Sequence, residues 1–220
     1  MKLAVLANDN LKQEWLSKPT GNAEITWAAD IEQLTTTQAD VYFDLEFEYH
    51  YERVKKLATI QSPVFINSVV RPLLDNDLSA STGDGLFIRI NAWPTFLQRE
   101  LTELAIADPF AETTVREVFT ALGWKCRIVP DVPGMISPRV IAMIINEAYF
   151  TLQAGVSTKD EIDTAMKLGT NYPFGPFEWS RLIGLGRIHS LLEALSKTDK
   201  RYEPSEKLIQ DIESSHDPKH

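Results

Sequence analysis

The sequence predicts an α/β domain of the doubly wound kind over residues 1–132, shortened, followed by an all-α domain over residues 133–220. Three observations carry that expectation. Short runs of strand formers alternate with helical stretches as far as Val129. No strand signal follows Asp131–Gly134 (DVPG). The stretch behind it, Ile136–Leu152, is apolar on nearly every face, as in a central buried helix.

Taken in order, Lys2–Ala7 (KLAVLA) reads as a buried strand. Leu11–Lys18 predicts a short helix stopped by Pro19 and Gly21. Ala23–Ala28 (AEITWA) alternates as a strand does, and Asp40–Asp44 (DVYFD) predicts another. Glu48–Thr59 mixes charge with apolar residues at helical spacing and predicts a helix. Pro63–Val70 (PVFINSVV) and Gly85–Asn91 (GLFIRIN) predict strands. Glu112–Leu122 predicts a helix closed by Gly123 in the usual C-terminal position, and Lys125–Val129 (KCRIV) a last strand. In the second half, Thr158 with Glu161 three residues on predicts a capping box. Its helix is expected to run to Leu168 and stop at Gly169. Gly175–Ile183 and Leu185–Leu195 predict two more helices, and the polar tail Ser214–His220 predicts fraying.

Composition bounds the function. The chain has 220 residues, of which 44% are hydrophobic and 24% charged, as in ordinary globular proteins. Its net charge of −9 argues against a nucleic-acid partner, whose binding rests on Lys and Arg neutralising phosphates. A single cysteine, Cys126, excludes an internal disulfide, so a reducing cytoplasm is expected. Met1–Ala7 lacks the form of a signal peptide, and no apolar run approaches the roughly 18–20 residues that span a bilayer, so no membrane partner is expected. No His/Cys/Asp/Glu grouping has metal-ligand spacing, so no metal is expected. His50 sits among Glu46, Glu48 and Glu52 on an expected exposed helix face, and His189 on a C-terminal helix. Asp44, Glu46 and Glu48 read as a solvated strand edge.

Four motifs in the second half go together. Pro133–Gly134 leads into a helix carrying Asn146–Glu147–Ala148. DTAMKLG (Asp163–Gly169) ends the capped helix, and GPFE (Gly175–Glu178) makes a proline-rich turn. In this order they resemble the helical C-terminal domain of the 3-hydroxyacyl-CoA dehydrogenases, from about Pro130 to Leu195. The first half resembles that family in outline: Ala39–Asp44 (ADVYFD), Phe65–Ser68 (FINS), and Gly85–Pro94 followed by Leu101–Leu104 (LTEL). Between Asp30 and Ala39 there is no room for the family's helical insertion.

The resemblance implies a Rossmann-like domain, here degenerate, with NAD as cofactor, an acyl-CoA-type substrate, and a homodimer formed through the helical domain. It implies cofactor-binding roles for Asn8 and Asp30, catalytic roles for Asn91 and Glu103 (or Glu100), and substrate or interface roles for Arg139, Asn146 and Glu178. The residues supply local readings too. An acid about 20 residues after the first strand suits a ribose, yet Asp30 can equally cap a helix starting at Ile31. Glu178 in a helix's first turn suits the dipole, behind Pro176 at the start. Glu100 and Glu103 also fit a solvated helix face.

Parts of the family's chemistry are missing. Pyrophosphate binding needs glycines at the first strand–helix turn; the turn here is Asn8–Asp9–Asn10, without glycine. The family's general base, a His, falls on Ile88 when Asn91 is aligned, or on Phe87 when Gly85–Leu86 are, and neither carries a titratable proton. The active-site Ser falls on Val69 and the active-site Asn on Pro138, while Arg139 matches the following Arg. Three readings stay open: a 3-hydroxyacyl-CoA dehydrogenase-like protein of fatty-acid and acyl-CoA metabolism with weak or lost activity; a non-catalytic homodimeric acyl-CoA-binding or scaffold module; and another NAD(P)-dependent hydroxyacid dehydrogenase of the same superfamily.

Overall fold

Period-two alternation in the first-half strands determines how the N-terminal residues pack. A computed structural model describes residues 1–75 and 86–215, so the first residue of the strand expected from Gly85, and His216–His220 of the tail, lie outside the described residues. The chain divides into two compact units, Met1–Met135 and Ile136–His220.

The first unit contains β1 (Lys2–Leu6), α1 (Asp9–Leu16), β2 (Glu24–Ala28), α2 (Ile31–Thr36), β3 (Val41–Asp44), α3 (Val54–Leu57), β4 (Val64–Asn67), β5 (Phe87–Ile90), β6 (Leu101–Ile106), α4 (Ala111–Leu122) and β7 (Lys125–Val129). The described strands form one sheet in the order β2-β1-β3-β4-β5-β6-β7. Every neighbouring pair is parallel except β5 and β6, so β6 and β7 run against the rest. Leu3, Val5, Phe43, Phe65, Ile88 and Ile90 point to one face, in the core cluster that includes Leu11 and Trp15 of α1 and Val115, Phe119 and Leu122 of α4. Ala4, Leu6, Tyr42, Val64, Ile66 and Phe87 point to the other, with Leu34 of α2 and Val54 and Leu57 of α3. Burial on both faces is what a parallel sheet requires. Phe43 stacks on Phe65 at 4.6 Å, and Trp15 meets Phe43 edge-on at 4.9 Å and Trp124 at 4.6 Å.

Two expectations for this unit need correction. Glu48–Thr59 is not one helix: two 3₁₀ turns, Phe47–Tyr49 and Tyr51–Arg53, precede the single turn of α3, because His50 leaves the helical region at φ −140°, ψ 52°. Leu101–Ile106, whose LTEL reads locally as a helix face, is a strand; pairing on both sides with β5 and β7 outweighs the helix propensity of its Leu, Glu and Ala.

The second unit contains α5 (Ser137–Gln153), α6 (Lys159–Thr170), α7 (Pro176–Ile183), α8 (Leu185–Ser196) and α9 (Glu206–Ser215). α5 packs against α7, α8 and α9. It is not buried all round: Ile136 just before it, Val140 and Phe150 are 49%, 52% and 41% exposed, because its neighbours cover one side only. Thr158 and Glu161 form the expected capping box. α6 does not stop at Gly169 but continues through it to Thr170 and ends at Asn171, one of the few non-glycine residues that tolerate a left-handed φ, here +56°. α9 is missing from the sequence reading because it is mostly polar; Leu208 and Ile212, four apart, are its buried stripe.

Gly175 and Asp163 explain the GPFE turn. Asp163 Oδ1 accepts the Phe177 amide at 2.7 Å and Oδ2 the Glu178 amide at 3.1 Å, capping α7 from another helix. A Cβ on residue 175 would stand 2.3 Å from Asp163 Oδ1, so only glycine fits there. In the first unit, Phe43→Ala removes the ring shared by the Phe65 stack and the Trp15 contact. The expected loss is about 3–5 kcal/mol, read from urea unfolding followed by tryptophan fluorescence.

Candidate functional site

An open α/β sheet offers a ligand crevice at the carboxyl ends of its strands, where the strand order reverses. Here the reversal lies between β1 and β3. The turn after β1 is already satisfied by its own side chains. Asn8, extended at the N-cap of α1, accepts the Leu11 amide on its Oδ1 at 3.0 Å, and Asp9 puts a carboxylate in the first turn. A pyrophosphate needs bare amides and no neighbouring acid, so these residues do not fit a dinucleotide. Asp30, after β2, caps α2 by accepting the Gln33 amide at 2.8 Å, while Gln33 Oε1 accepts the Ala29 amide at 2.7 Å.

Of the three acids read as a solvated edge, Asp44 and Glu48 are buried and Glu46 is partly buried. Asp44, at the end of β3, is 0% exposed. It accepts the Glu46 amide at 3.0 Å and lies 3.3 Å from Arg53 Nη1, which also lies 3.7 Å from Glu46. Burial pushes the Asp44 carboxyl up to about 6, against the pull of Arg53 and the Glu46 amide. Glu48 is buried as well. Its Oε1 accepts the amides of Val69 and Val70, each at 2.7 Å, and its Oε2 accepts the Trp93 indole N–H. Asn67 accepts the Ala92 amide at 3.1 Å and donates to the carbonyls of Leu45 and Ala92. Arg89, 0% exposed on β5, donates to the carbonyls of Ser68 at 2.5 Å and Val69 at 2.8 Å, and to Asp131 at 2.6 Å. The sequence signal for this set is an arginine between two isoleucines in an apolar strand: a cation there must find buried partners.

Asn91 and Glu103 are neighbours across β5 and β6. The Asn91 amide donates to the Glu103 carbonyl at 3.0 Å, and both side chains are buried. Asn91 Oδ1 accepts the Trp93 amide at 3.4 Å. The pairing rests on backbone, and Glu103 stands on a strand and not on a solvated helix. Phe87 and Ile88 are core residues, 6% and 0% exposed. Thr95 holds φ at +77°, rare for a β-branched residue, while its amide donates to Glu14 at 2.7 Å. Lys18 donates to the Arg99 carbonyl at 2.9 Å and to Thr102 Oγ1 at 2.8 Å over the Trp124 ring, and burial lowers its ammonium to about 8.

In the helical unit, Asn146 is 1% exposed, and both ends of its amide are engaged inside the unit: it donates to the Glu203 carbonyl at 2.8 Å and accepts the Ser205 amide at 2.9 Å. Glu178 accepts the Gly175 amide at 2.8 Å and pairs with Lys167 at 2.5 Å; the Lys167 bond holds its carboxyl below the usual range. Arg139 lies 5.9 Å from the Tyr202 ring centroid. Pro138 is buried in the first turn of α5. His50 and His189 each face a glutamate at 3.3 Å, Glu52 and Glu193. Among the described residues no three His, Cys, Asp or Glu side chains are grouped to hold a metal, and no helix is long and apolar enough to cross a membrane.

Comparison with known proteins bears on both units. Residues 134–216 match the family model described as the 3-hydroxyacyl-CoA dehydrogenase C-terminal domain. A 3-hydroxyadipyl-CoA dehydrogenase of Escherichia coli K12 is 49% identical over 84 residues, 37% of this chain and 18% of the relative. A 3-hydroxybutyryl-CoA dehydrogenase of Bradyrhizobium diazoefficiens is 37% identical over 120 residues, 52% of this chain and 41% of the relative. The chain thus matches less than half the length of either relative. The crystal structure of (S)-3-hydroxybutyryl-CoA dehydrogenase from Ralstonia eutropha superposes with a TM-score of 0.75 at 19% identity, covering 97% of this chain and 94% of that one, a likeness of fold.

The buried acids make two expectations measurable. The folded state holds the Asp44 proton more tightly than the unfolded chain, so the stability from this group is present at low pH and is lost as pH rises through about 6. Asp44→Asn is expected to flatten that part of the stability profile between pH 4 and 7, read from urea midpoints. Glu48→Ala leaves two amides and an indole without their shared acceptor, and a loss of roughly 3 kcal/mol or more is expected in the same assay at pH 7.

Proposed function

We propose, from the premise that residues 134–216 belong to the family of 3-hydroxyacyl-CoA dehydrogenase C-terminal domains, that this chain serves acyl-CoA metabolism with its dehydrogenase activity weakened or lost. One inference from the resemblance carries the reading: the family's general base falls on Phe87 or Ile88, neither able to take a proton, and both are buried in the sheet core. Oxidising a hydroxyl requires a group that accepts its proton as hydride departs, and removing such a base typically costs about 10²–10⁴-fold. The glycine-free turn at Asn8–Asn10 and the role of Asp30 as a helix cap support the same reading, since both leave NAD without its usual contacts. At the position of the family's serine, Val69 carries no hydroxyl and its amide is already bound by Glu48.

A second reading is favoured by a separate observation. The helical unit exposes Ile136 and Val140, four residues apart, with Phe150 further along α5 and Leu182 on α7. Such an apolar surface suits a subunit interface better than solvent. A homodimer of a non-catalytic acyl-CoA-binding module accounts for it.

Two experiments test these readings. Acetoacetyl-CoA reduction with NADH is expected to run at least about 100-fold below a family dehydrogenase assayed beside it, with no change in NADH fluorescence on titration into the millimolar range; brisk turnover overturns the first reading. Light scattering is expected to give twice the 24.9 kDa of one chain, and a thermal-shift increase with acetoacetyl-CoA is expected if acyl-CoA binding persists. A species of single-chain mass alone removes the dimer.

A further inference from the structure

Consecutive backbone amides and an indole N–H converge on a single side chain at the carboxyl ends of β4 and β5. Val69 and Val70 both donate to Oε1 of Glu48 at 2.7 Å, and Trp93 donates to Oε2. The amides and the indole thus address the oxygens of a carboxylate separately. Such a set recognises a planar anion with paired oxygens better than a spherical one.

These donors are held in place by groups other than Glu48. The Val69 carbonyl accepts Arg89 Nη2 and the Gly134 amide, each at 2.8 Å, and the Ser68 carbonyl accepts Arg89 Nε at 2.5 Å. Ser68 Oγ donates to the Arg71 carbonyl at 2.8 Å, closing the turn around Val69 and Val70. On the other side, Asn67 accepts the Ala92 amide at 3.1 Å just before Trp93, whose ring meets Phe96 edge-on at 6.4 Å. The Arg89 cation, paired with Asp131 at 2.6 Å, also acts on Glu48. Glu48 itself arrives on the short 3₁₀ turn Phe47–Tyr49 and is 8% exposed, so the site reaches solvent.

We propose that Val69, Val70 and Trp93 form a carboxylate-binding site in its own right, filled in this chain by Glu48, which takes a formate- or acetate-sized carboxylate when that side chain is removed. A donor set that forms only around Glu48 collapses without it. A set fixed by Arg89, Ser68 and Asn67 keeps its shape. Truncating Glu48 to alanine takes away the heavy atoms of an acetate ion; formate is smaller still, and pivalate, of the same charge, is too wide to enter. The site does not depend on whether the chain oxidises a hydroxyl, so its test measures no turnover.

The test is thermal unfolding of the wild type, Glu48→Ala and Glu48→Gln at neutral pH, in sodium formate, acetate, pivalate and chloride at one ionic strength. The wild type and Glu48→Gln, whose side chain fills the same space, set the general salt effect. Formate or acetate is expected to raise the Tm of Glu48→Ala by roughly 3–6 °C beyond that effect at tenfold excess over Kd, and pivalate and chloride to add nothing. If Glu48→Ala does not fold in chloride, far-UV circular dichroism in formate and acetate decides: recovery of the folded spectrum supports the site, and its absence overturns it. The proposal is also overturned if pivalate or chloride stabilises Glu48→Ala as much, or if neither formate nor acetate shifts it beyond the wild type.

Discussion

The loop leaving β4 is held by opposite charges acting on the backbone of one residue. Val69 gives its N–H to Glu48 and its carbonyl to Arg89, and the same carbonyl accepts the Gly134 amide at 2.8 Å. A buried cation or a buried carboxylate is costly alone and tolerable when its hydrogen bonds are met. Glu48 meets that condition with two amides and an indole, Arg89 with three carbonyls, those of Ser68, Val69 and Val132, and Asp131. The clamp also reaches far along the chain: Glu48 follows β3, Arg89 lies on β5, and Asp131 follows β7. Three segments distant in sequence are thereby tied to one loop, at the strand ends where ligands of open α/β sheets sit.

That arrangement shapes what the first unit can do. The amides at Val69 and Val70 are donors aimed at a carboxylate, but the carboxylate is the chain's own. Asn8 and Asp30 follow the same pattern at the other strand ends, each spending an oxygen on a helix start. At these strand ends, Glu48, Asn8 and Asp30 each bind backbone amides of their own chain.

Much of this was legible in the sequence. Periodicity and turn residues located β1 to β5, α4 and β7, and the Thr158–Glu161 pair located the start of α6, because those signals are local. β6 was not legible, since LTELAI becomes a strand only through its two neighbours. α9 was hidden by polar composition around Leu208 and Ile212. The acids after β3 were misread for the same reason that β6 was: their partners, Val69, Val70, Trp93 and Arg53, are brought near by topology and not by spacing. Among the residues singled out through resemblance, Asn146 and Glu178 bond within the helical unit, to Glu203, Ser205, Gly175 and Lys167, and partners so far apart in sequence as Asn146 and Glu203 leave no local signal.

The contact between Asp163 and Gly175 has a consequence for how this unit can vary over evolution or by design. The acid occupies the space a methyl group would need, and the glycine is what allows the acid to reach two amides of the next helix. Neither position is free while the other stays as it is. The pair is not exchangeable, because a Cβ at residue 175 would also stand 2.5 Å from the backbone Cα of Asp163: a library that shrinks the acid and adds an alanine keeps the clash, and the glycine is the fixed member.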